Sequence, residues 1–197
     1  MRYRAYAKVN LSLEVLGKRP DGYHDLLSVM QTVTLFDEIE YGDGVELTFA
    51  SSEPALSGDE NLVVRAARAM RQLAPGSPGG NLMLQKSIPF AAGLGGGSSD
   101  AAATLVFLNE RWALNLSLEQ LTAIGANLGS DVPFFLYGGT SLVSGRGEFV
   151  QPLPDPEPMW YALVKPPVSV ATGDIFRSLS PHDWTDGART STVVTGV

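Results

Sequence analysis

Pro89-Phe90-Ala91-Ala92-Gly93-Leu94-Gly95-Gly96-Gly97-Ser98-Ser99-Asp100-Ala101-Ala102-Ala103 is the stretch on which the reading of this chain turns. Four of the five residues from Gly93 to Gly97 are glycine, and each glycine costs backbone entropy when it is ordered. Such a run builds neither strand nor helix; it allows positive φ and close backbone approach to another group. Ser98, Ser99 and Asp100 follow as N-cap candidates, and the alanine-rich run to Leu108 reads as helix. A glycine loop that opens onto a helix N-terminus presents unpaired N–H groups and the positive end of the helix dipole. That combination favours an anion, most often phosphate; the plain alternative is a flexible surface turn.

Three familiar phosphate loops do not fit. No Gly-Lys-Ser/Thr closes the run, which excludes a Walker A loop. Gly93-x-Gly95-x-x-Ser98 imitates the dinucleotide fingerprint but lacks its last glycine and the acidic residue that should end a second strand. The protein-kinase set of Val-Ala-Ile-Lys, His-Arg-Asp and Asp-Phe-Gly is missing as well.

Outward from the loop, 197 residues suffice for one sizeable core, or for one domain and part of another. A hydrophobic content of 44% with 18% charged residues is that of a globular chain. Fourteen Lys and Arg stand against 21 Asp and Glu, for a formal net charge of −7. This balance speaks against a nucleic-acid binder or an anionic-membrane binder, both of which need a basic face. The chain has no cysteine, so neither a disulfide scaffold nor a thiolate metal site is expected. Met1 to Tyr6 has no apolar core of signal-peptide length and no stretch approaches a membrane span, so the cytoplasm is the expected location.

Tyr3 to Leu16 alternates, with Val9, Leu11, Leu13 and Val15 on one side and Lys8, Asn10, Ser12 and Glu14 on the other, as a half-buried strand does. Gly17 to Gly22 is a turn, and Leu27, Val29, Gln31, Val33 and Leu35 continue as a second strand. Asp37 to Tyr41 and Val45 to Ala50 read as a hairpin about Gly42-Asp43-Gly44, giving an antiparallel sheet with one wet face. Asp59 is a cap for a helix with the stripe Leu62, Ala66, Ala69, Met70 and Leu73. Leu82 to Ile88 is a strand that delivers the chain to the glycine loop. Ser117-Leu118-Glu119-Gln120 is a capping box for a helix through Asn127. Thr140 to Val150 reads as a hairpin around Gly145-Arg146-Gly147. Four prolines between Gln151 and Pro158 mark an extended linker. Met159 to Val164 reads as a buried-type strand and Asp174 to Leu179 as a short helix; the tail from His182 shows almost no apolar periodicity.

Two further constellations carry chemistry. Lys8 and Asn10 emerge on one face of their strand because side chains two apart point the same way; alone, they are a solvated polar edge. Gly129-Ser130-Asp131-Val132-Pro133-Phe134-Phe135 sets one carboxylate between glycine and an apolar run. Its plain reading is an N-cap before a proline in the first helical turn; its functional reading is a base near the loop, with Lys8 bringing positive charge to the same place. Tyr23-His24 either packs over the sheet edge or offers a ring for stacking and a partner for hydrogen bonding. Asp100, an acid beside an anion site, reads as turned away from the ligand.

The string Pro-x-x-x-Gly-Leu-Gly-Gly-Gly-Ser-Ser from Pro89 to Ser99 resembles the phosphate loop of the GHMP kinases, the family of galactose, homoserine, mevalonate and phosphomevalonate kinases. Ala7-Lys8-Val9-Asn10-Leu11, Asp21-Gly22-Tyr23-His24, Asn61-Leu62-Val63 and Gly129 to Phe135 occur in the matching order, with Gly145-Arg146-Gly147-Glu148 and Val168 to Thr172 in support. The resemblance runs to about Phe176. The Asp-Gly-Tyr-His piece directs it to the branch that phosphorylates the 2-hydroxyl of a cytidine-diphosphate-linked methylerythritol, in non-mevalonate isoprenoid precursor synthesis. A homoserine- or mevalonate-type kinase and a truncated, non-catalytic nucleotide-binding remnant are the alternatives.

The resemblance implies an α+β fold, with a GHMP-kinase N-terminal domain over residues 1–150 holding the glycine loop on a mixed sheet. Residues 151–197 would be a linker and the start of an incomplete second α+β domain, since the family's third, Gly-Ser-Gly-type motif lies beyond Val197. It also implies that Asp131 takes the hydroxyl proton and Lys8 steadies the developing charge. Pro89, Ala91, Gly93, Leu94, Gly95, Gly96, Gly97, Ser98 and Ser99 would hold ATP, with Asn61 near the adenine. Asn10, His24 and Thr172 would contact the substrate alongside Asp131, and Tyr23 and Phe176 would enclose its cytosine. Magnesium would accompany the ATP, with no side chain assigned to hold it. The expected partners are therefore ATP and a small molecule, with no nucleic acid and no membrane.

Overall fold

A computed structural model describes residues 1–167 and 172–195, except the side chain of Thr172. The fold is α+β: one mixed six-stranded sheet with helices packed on it. Its spine is β2, His24–Gly44, which pairs antiparallel along one edge with β1, Arg2–Lys18. Two strands share the other edge of β2. β5, Thr140–Gly145, takes Leu26 to Gln31, and β4, Gly79–Gln85, takes Glu38 to Gly44. The interval between them on β2 is where the chain leaves β4 for the glycine loop. There Asp37 accepts hydrogen bonds from the backbone N–H groups of Ser87 and Ile88, so a side chain does what a sheet ladder does elsewhere.

The expected hairpin at Gly42-Asp43-Gly44 does not form. β3, Leu47–Ser51, pairs in parallel with β4, which lies between it and β2. The connection from β3 to β4 carries helix α1, Leu62–Leu73, and a helix-length crossover is what allows two strands to run parallel. α1 is capped by Asn61, not Asp59: its Oδ1 accepts from Val63 N at 2.8 Å. The buried face of α1 is Val63, Ala66, Ala67 and Met70, a stripe rotated from the expected one, so that Leu73 is exposed.

Helix α2, Gly96–Arg111, runs through the middle of the molecule, and Leu105, Phe107 and Leu108 are fully enclosed. It begins three residues before Ser99, with Gly95 as N-cap and no side-chain cap. α3, Leu118–Leu128, has the expected capping box, Gln120 N to Ser117 Oγ and Ser117 N to Gln120 Oε1. α4, Val132–Tyr137, leads into the hairpin of β5 and β6, Phe149–Leu153, which forms as the sequence indicates. Gln151 to Leu153, read as linker, thus belong to a strand.

Two departures lie toward the C-terminus. Met159 to Val164 forms no strand among the described residues; no other strand lies beside it, and Trp160 is 99% exposed. The tail does contain structure: after α5, Thr172–Ser178, helix α6, Ala188–Thr195, lies on β1 and β2. Its docking is polar, which is why apolar periodicity does not reveal it. Thr190 is buried and donates its N–H to Glu14 Oε2 at 2.6 Å, and Thr185 N bonds to Val15 O. This inverts the expected faces of β1 here, with Glu14 buried and Leu13 exposed, beyond a register shift between Asn10 and Ser12.

Candidate active site

The glycine loop is tied to β1 by two bonds: Lys8 N donates to Leu94 O at 3.0 Å, and Ser99 Oγ donates to Tyr6 O at 2.6 Å. Ser99 is therefore buried with its hydroxyl turned into the fold. Gly93 and Gly95 have φ of 72° and 71°, and Ala91 joins them at 51°. A Cβ on Gly95 would lie 2.5 Å from the Phe135 ring and 3.1 Å from Lys8 Cγ, so this glycine lets the loop close onto both. At Gly129, the first residue of the Asp131 segment, a Cβ would sit 3.7 Å from Ser98 Oγ. Loop, Lys8 and Asp131 segment therefore meet in one place.

Within that place the Lys8 ammonium donates to Asn10 Oδ1 at 2.6 Å and stands 3.9 Å from Asp131 Oδ2. Asn10 Nδ2 donates to Ser28 Oγ at 2.7 Å, and Ser28 donates to Ser12 O. This chain fixes the Asn10 amide and, through it, the ammonium. Lys8 is only 6% exposed, so it is no solvated edge. Burial lowers its pKa from the ordinary lysine value, and the Asp131 carboxylate partly opposes that shift. Asp131 stands at the start of α4 but makes no side-chain cap bond; its carboxylate is free to face the ammonium instead.

The remaining residues fall into two groups. On the nucleotide side, Leu62 lies 3.7 Å from a Cβ position on Gly97, which puts the start of α1 beside the loop. The Asn61 side chain there is already engaged at both ends, with Val63 N and Leu56 O. Pro89 and Gly97 are exposed and Leu94, Gly96 and Ser98 partly so, which leaves loop backbone accessible. On the other side, the turn before β2 is held by an Asp21 carboxylate that accepts from Tyr23 N and pairs with Arg19. Tyr23 is half exposed, whereas His24 is buried and stacks on Phe176, with centroids 5.5 Å apart and planes 28° apart. The side chain of Thr172, expected to contact the substrate, lies outside the described side chains, and residues 168–171 lie outside the described residues.

Three further features surround the site. Arg146, at the tip of the β5–β6 hairpin, lies 5.0 Å over the Tyr23 ring and donates to Ala126 O at 2.9 Å. Ser28 completes the Asn10 chain. Asp37, Lys86 and Asp100 form a buried cluster behind the loop. In sequence, Asp100 reads as an acid turned away from the ligand, and its side chain is indeed buried behind the loop, while Arg146 stands in the Gly145-Arg146-Gly147 hairpin; Ser28, Asp37 and Lys86 carry no sequence signal.

The stretch that carries α1, the glycine loop, α2, α3 and α4 has a counterpart among known families. The model described as "GHMP kinases N terminal domain" matches residues 61–139. A 4-diphosphocytidyl-2-C-methyl-D-erythritol kinase of Geobacillus kaustophilus (strain HTA426) is 46% identical over 180 residues, covering 89% of this chain and 62% of that protein. One from Geobacillus sp. (strain WCH70) is 45% identical over 191 residues, covering 93% and 66%. A crystal structure of 4-(cytidine 5'-diphospho)-2C-methyl-D-erythritol kinase superposes with a TM-score of 0.81 at 34% identity, over all of this chain and 70% of that one. The chain belongs to the 4-diphosphocytidyl-2-C-methyl-D-erythritol kinase family, a branch of the GHMP kinases. It spans 62–66% of the length of those two curated relatives. The mevalonate kinase of Methanococcus jannaschii, at 15% identity and a TM-score of 0.59, shares the fold.

Proposed function

We propose that this chain works as a cytoplasmic ATP-dependent kinase that phosphorylates the 2-hydroxyl of 4-diphosphocytidyl-2-C-methyl-D-erythritol. The observation that carries the reading is the convergence of Lys8, Asp131 and the loop: Lys8 is bonded to Leu94 O through its backbone and stands 3.9 Å from Asp131 through its ammonium. In the reaction, the acceptor oxygen forms a bond to the γ-phosphorus, the bridging bond to the β-phosphate breaks, and ADP leaves. Asp131 takes the hydroxyl proton, and Lys8, held by Asn10, steadies charge on the oxygens between donor and acceptor. Phosphoryl transfer asks for positioning and charge neutralisation more than for covalent help. The N–H groups at the start of α2 supply both to the phosphates.

Magnesium enters this scheme as part of the MgATP substrate. Among the described residues no group of three His, Asp or Glu side chains stands ready to hold a metal ion, and no helix is long and apolar enough to cross a membrane. Asn10, His24 and Thr172 are the residues assigned to the acceptor, with Tyr23 and Phe176 about its cytosine and Asn61 toward the adenine. The names of the relatives support this choice of acceptor, and the exposed Tyr23 ring beside a buried His24 suits a planar heterocycle.

Asp131→Asn tests the reading. With MgATP and the cytidyl substrate, kcat should drop by about 10²–10⁴ while the Kd for ATP hardly moves, because the loop does not depend on the carboxylate. An undiminished kcat would leave Asp131 as no more than the first residue before α4.

A further inference from the structure

Behind the glycine loop lie three charged side chains that the proposed chemistry does not use. Asp37 on β2, Lys86 just after β4 and Asp100 on α2 have side chains 0%, 7% and 2% exposed. Asp37 Oδ1 accepts from Ser87 N at 2.6 Å and from Ile88 N at 2.8 Å, while its Oδ2 takes the Lys86 ammonium. The same ammonium reaches Asp100 Oδ2 at 3.1 Å. Asp100 Oδ1 has no partner among the described residues. The ammonium also abuts the loop itself: a Cβ on Gly96 would lie 3.0 Å from Lys86 Nζ.

Two carboxylates here share one ammonium, so full ionisation leaves an excess negative charge in a dry interior. Asp37 has both of its oxygens hydrogen-bonded. Asp100, with an orphan oxygen, is the place where a proton relieves the excess. Burial pushes Asp100 up to about 7, against the pull of Lys86 and with the Asp37 charge adding to the rise. Those two are the charged groups acting on it. An anion in the loop would add negative charge a turn away, through protein that screens far less than water.

We propose that Asp100 is a proton-linked positioning residue of the phosphate loop: it carries a proton when a polyphosphate occupies residues 93–98, and its ionisation weakens that binding. Protonated Asp100 leaves Lys86 paired with Asp37 alone and the N-terminal end of α2 fully positive toward the ligand. Ionised Asp100 cancels part of that field from within the helix. The sign follows from the raised pKa: binding is strongest below it and weakens as pH climbs through it. The inference rests on residues 89–99 being a phosphate loop and is independent of the acceptor and of Asp131.

The test is titration calorimetry of the 197-residue chain with ADP at pH 6, 7 and 8, each in two buffers of different ionisation heat, beside Asp100→Asn. ADP's own titration is common to both proteins, so the difference between them belongs to the protein. An obligatory proton with a midpoint near 7 makes Kd rise about tenfold more between pH 6 and pH 8 in the unmodified chain than in the variant. At pH 7 the unmodified chain should take up about half a proton more than the variant on binding ADP. Identical pH profiles and equal proton counts overturn the inference. If the variant does not fold, the count on the unmodified chain decides alone: after ADP's own contribution is subtracted, zero uptake at pH 7 overturns it. No ADP binding at any pH would overturn the loop reading together with this one. Proton-linked binding in a chain without kinase activity would sustain this inference and fault only the proposed reaction.

Discussion

Gly95→Ala separates the two reasons for a glycine in the loop, because Gly93 provides a matched control. Both residues sit at nearly the same positive φ, 71° and 72°, and a left-handed conformation costs an alanine about 1–2 kcal/mol. At Gly93 nothing lies within 4 Å of an added Cβ, so that cost is the whole effect. At Gly95 the methyl would come within 2.5 Å of the Phe135 ring and 3.1 Å of Lys8 Cγ. Phe135 packs between two clusters of buried apolar side chains and cannot swing freely aside; overpacking of this kind adds about 1–3 kcal/mol. Gly95→Ala should therefore destabilise by about 2–5 kcal/mol, against about 1–2 kcal/mol for Gly93→Ala. The pushed Lys8 should also weaken turnover beyond the loss of stability. Urea unfolding of both variants, with the slope compared to confirm a common unfolding transition, measures the difference. Equal losses in the two variants would refute the packing of the loop onto Phe135 and Lys8.

Two further outcomes follow from the periphery of the site. Tyr23→Ala should raise KM for the cytidyl substrate by a factor of about 5–150, the worth of one stacked base, and leave KM for ATP unchanged; steady-state kinetics with each substrate varied in turn will show which term moves. The Thr190 N–H holds the Glu14 carboxyl below the usual carboxylate range. Its contribution to docking α6 is thus fully present above the ordinary value and fades as pH falls through the depressed one. Amide exchange at Thr190 should accordingly quicken on acidification, after correction for the intrinsic rate, and Glu14→Gln should quicken it by on the order of tenfold at neutral pH; unchanged protection in the variant would mean that α6 is held by something else.

The local chemistry of this protein was readable from its residues. The glycine loop and the helix after it, the capping box at Ser117, the existence of strand β1 and the hairpin about Arg146 each depend on neighbours within a few positions, where dihedral preference and side-chain period act. Lys8 and Asn10 on a common face follow from the pleat alone. Tertiary structure decided which strands pair: β4 lies between β3 and β2 because α1 carries the chain across, and nothing within residues 37–50 encodes that choice. It also decided burial. Lys8 became a dehydrated cation when the loop and α4 closed over it, and Glu14 went inside because a threonine N–H 176 positions away meets it. The Asp37–Lys86–Asp100 cluster draws its members from β2, the end of β4 and α2, three segments that only the folded sheet brings together. A charge's partner is set by distance in space, and in this chain those distances arise from long-range strand pairing and helix packing, which no local stretch of sequence specifies.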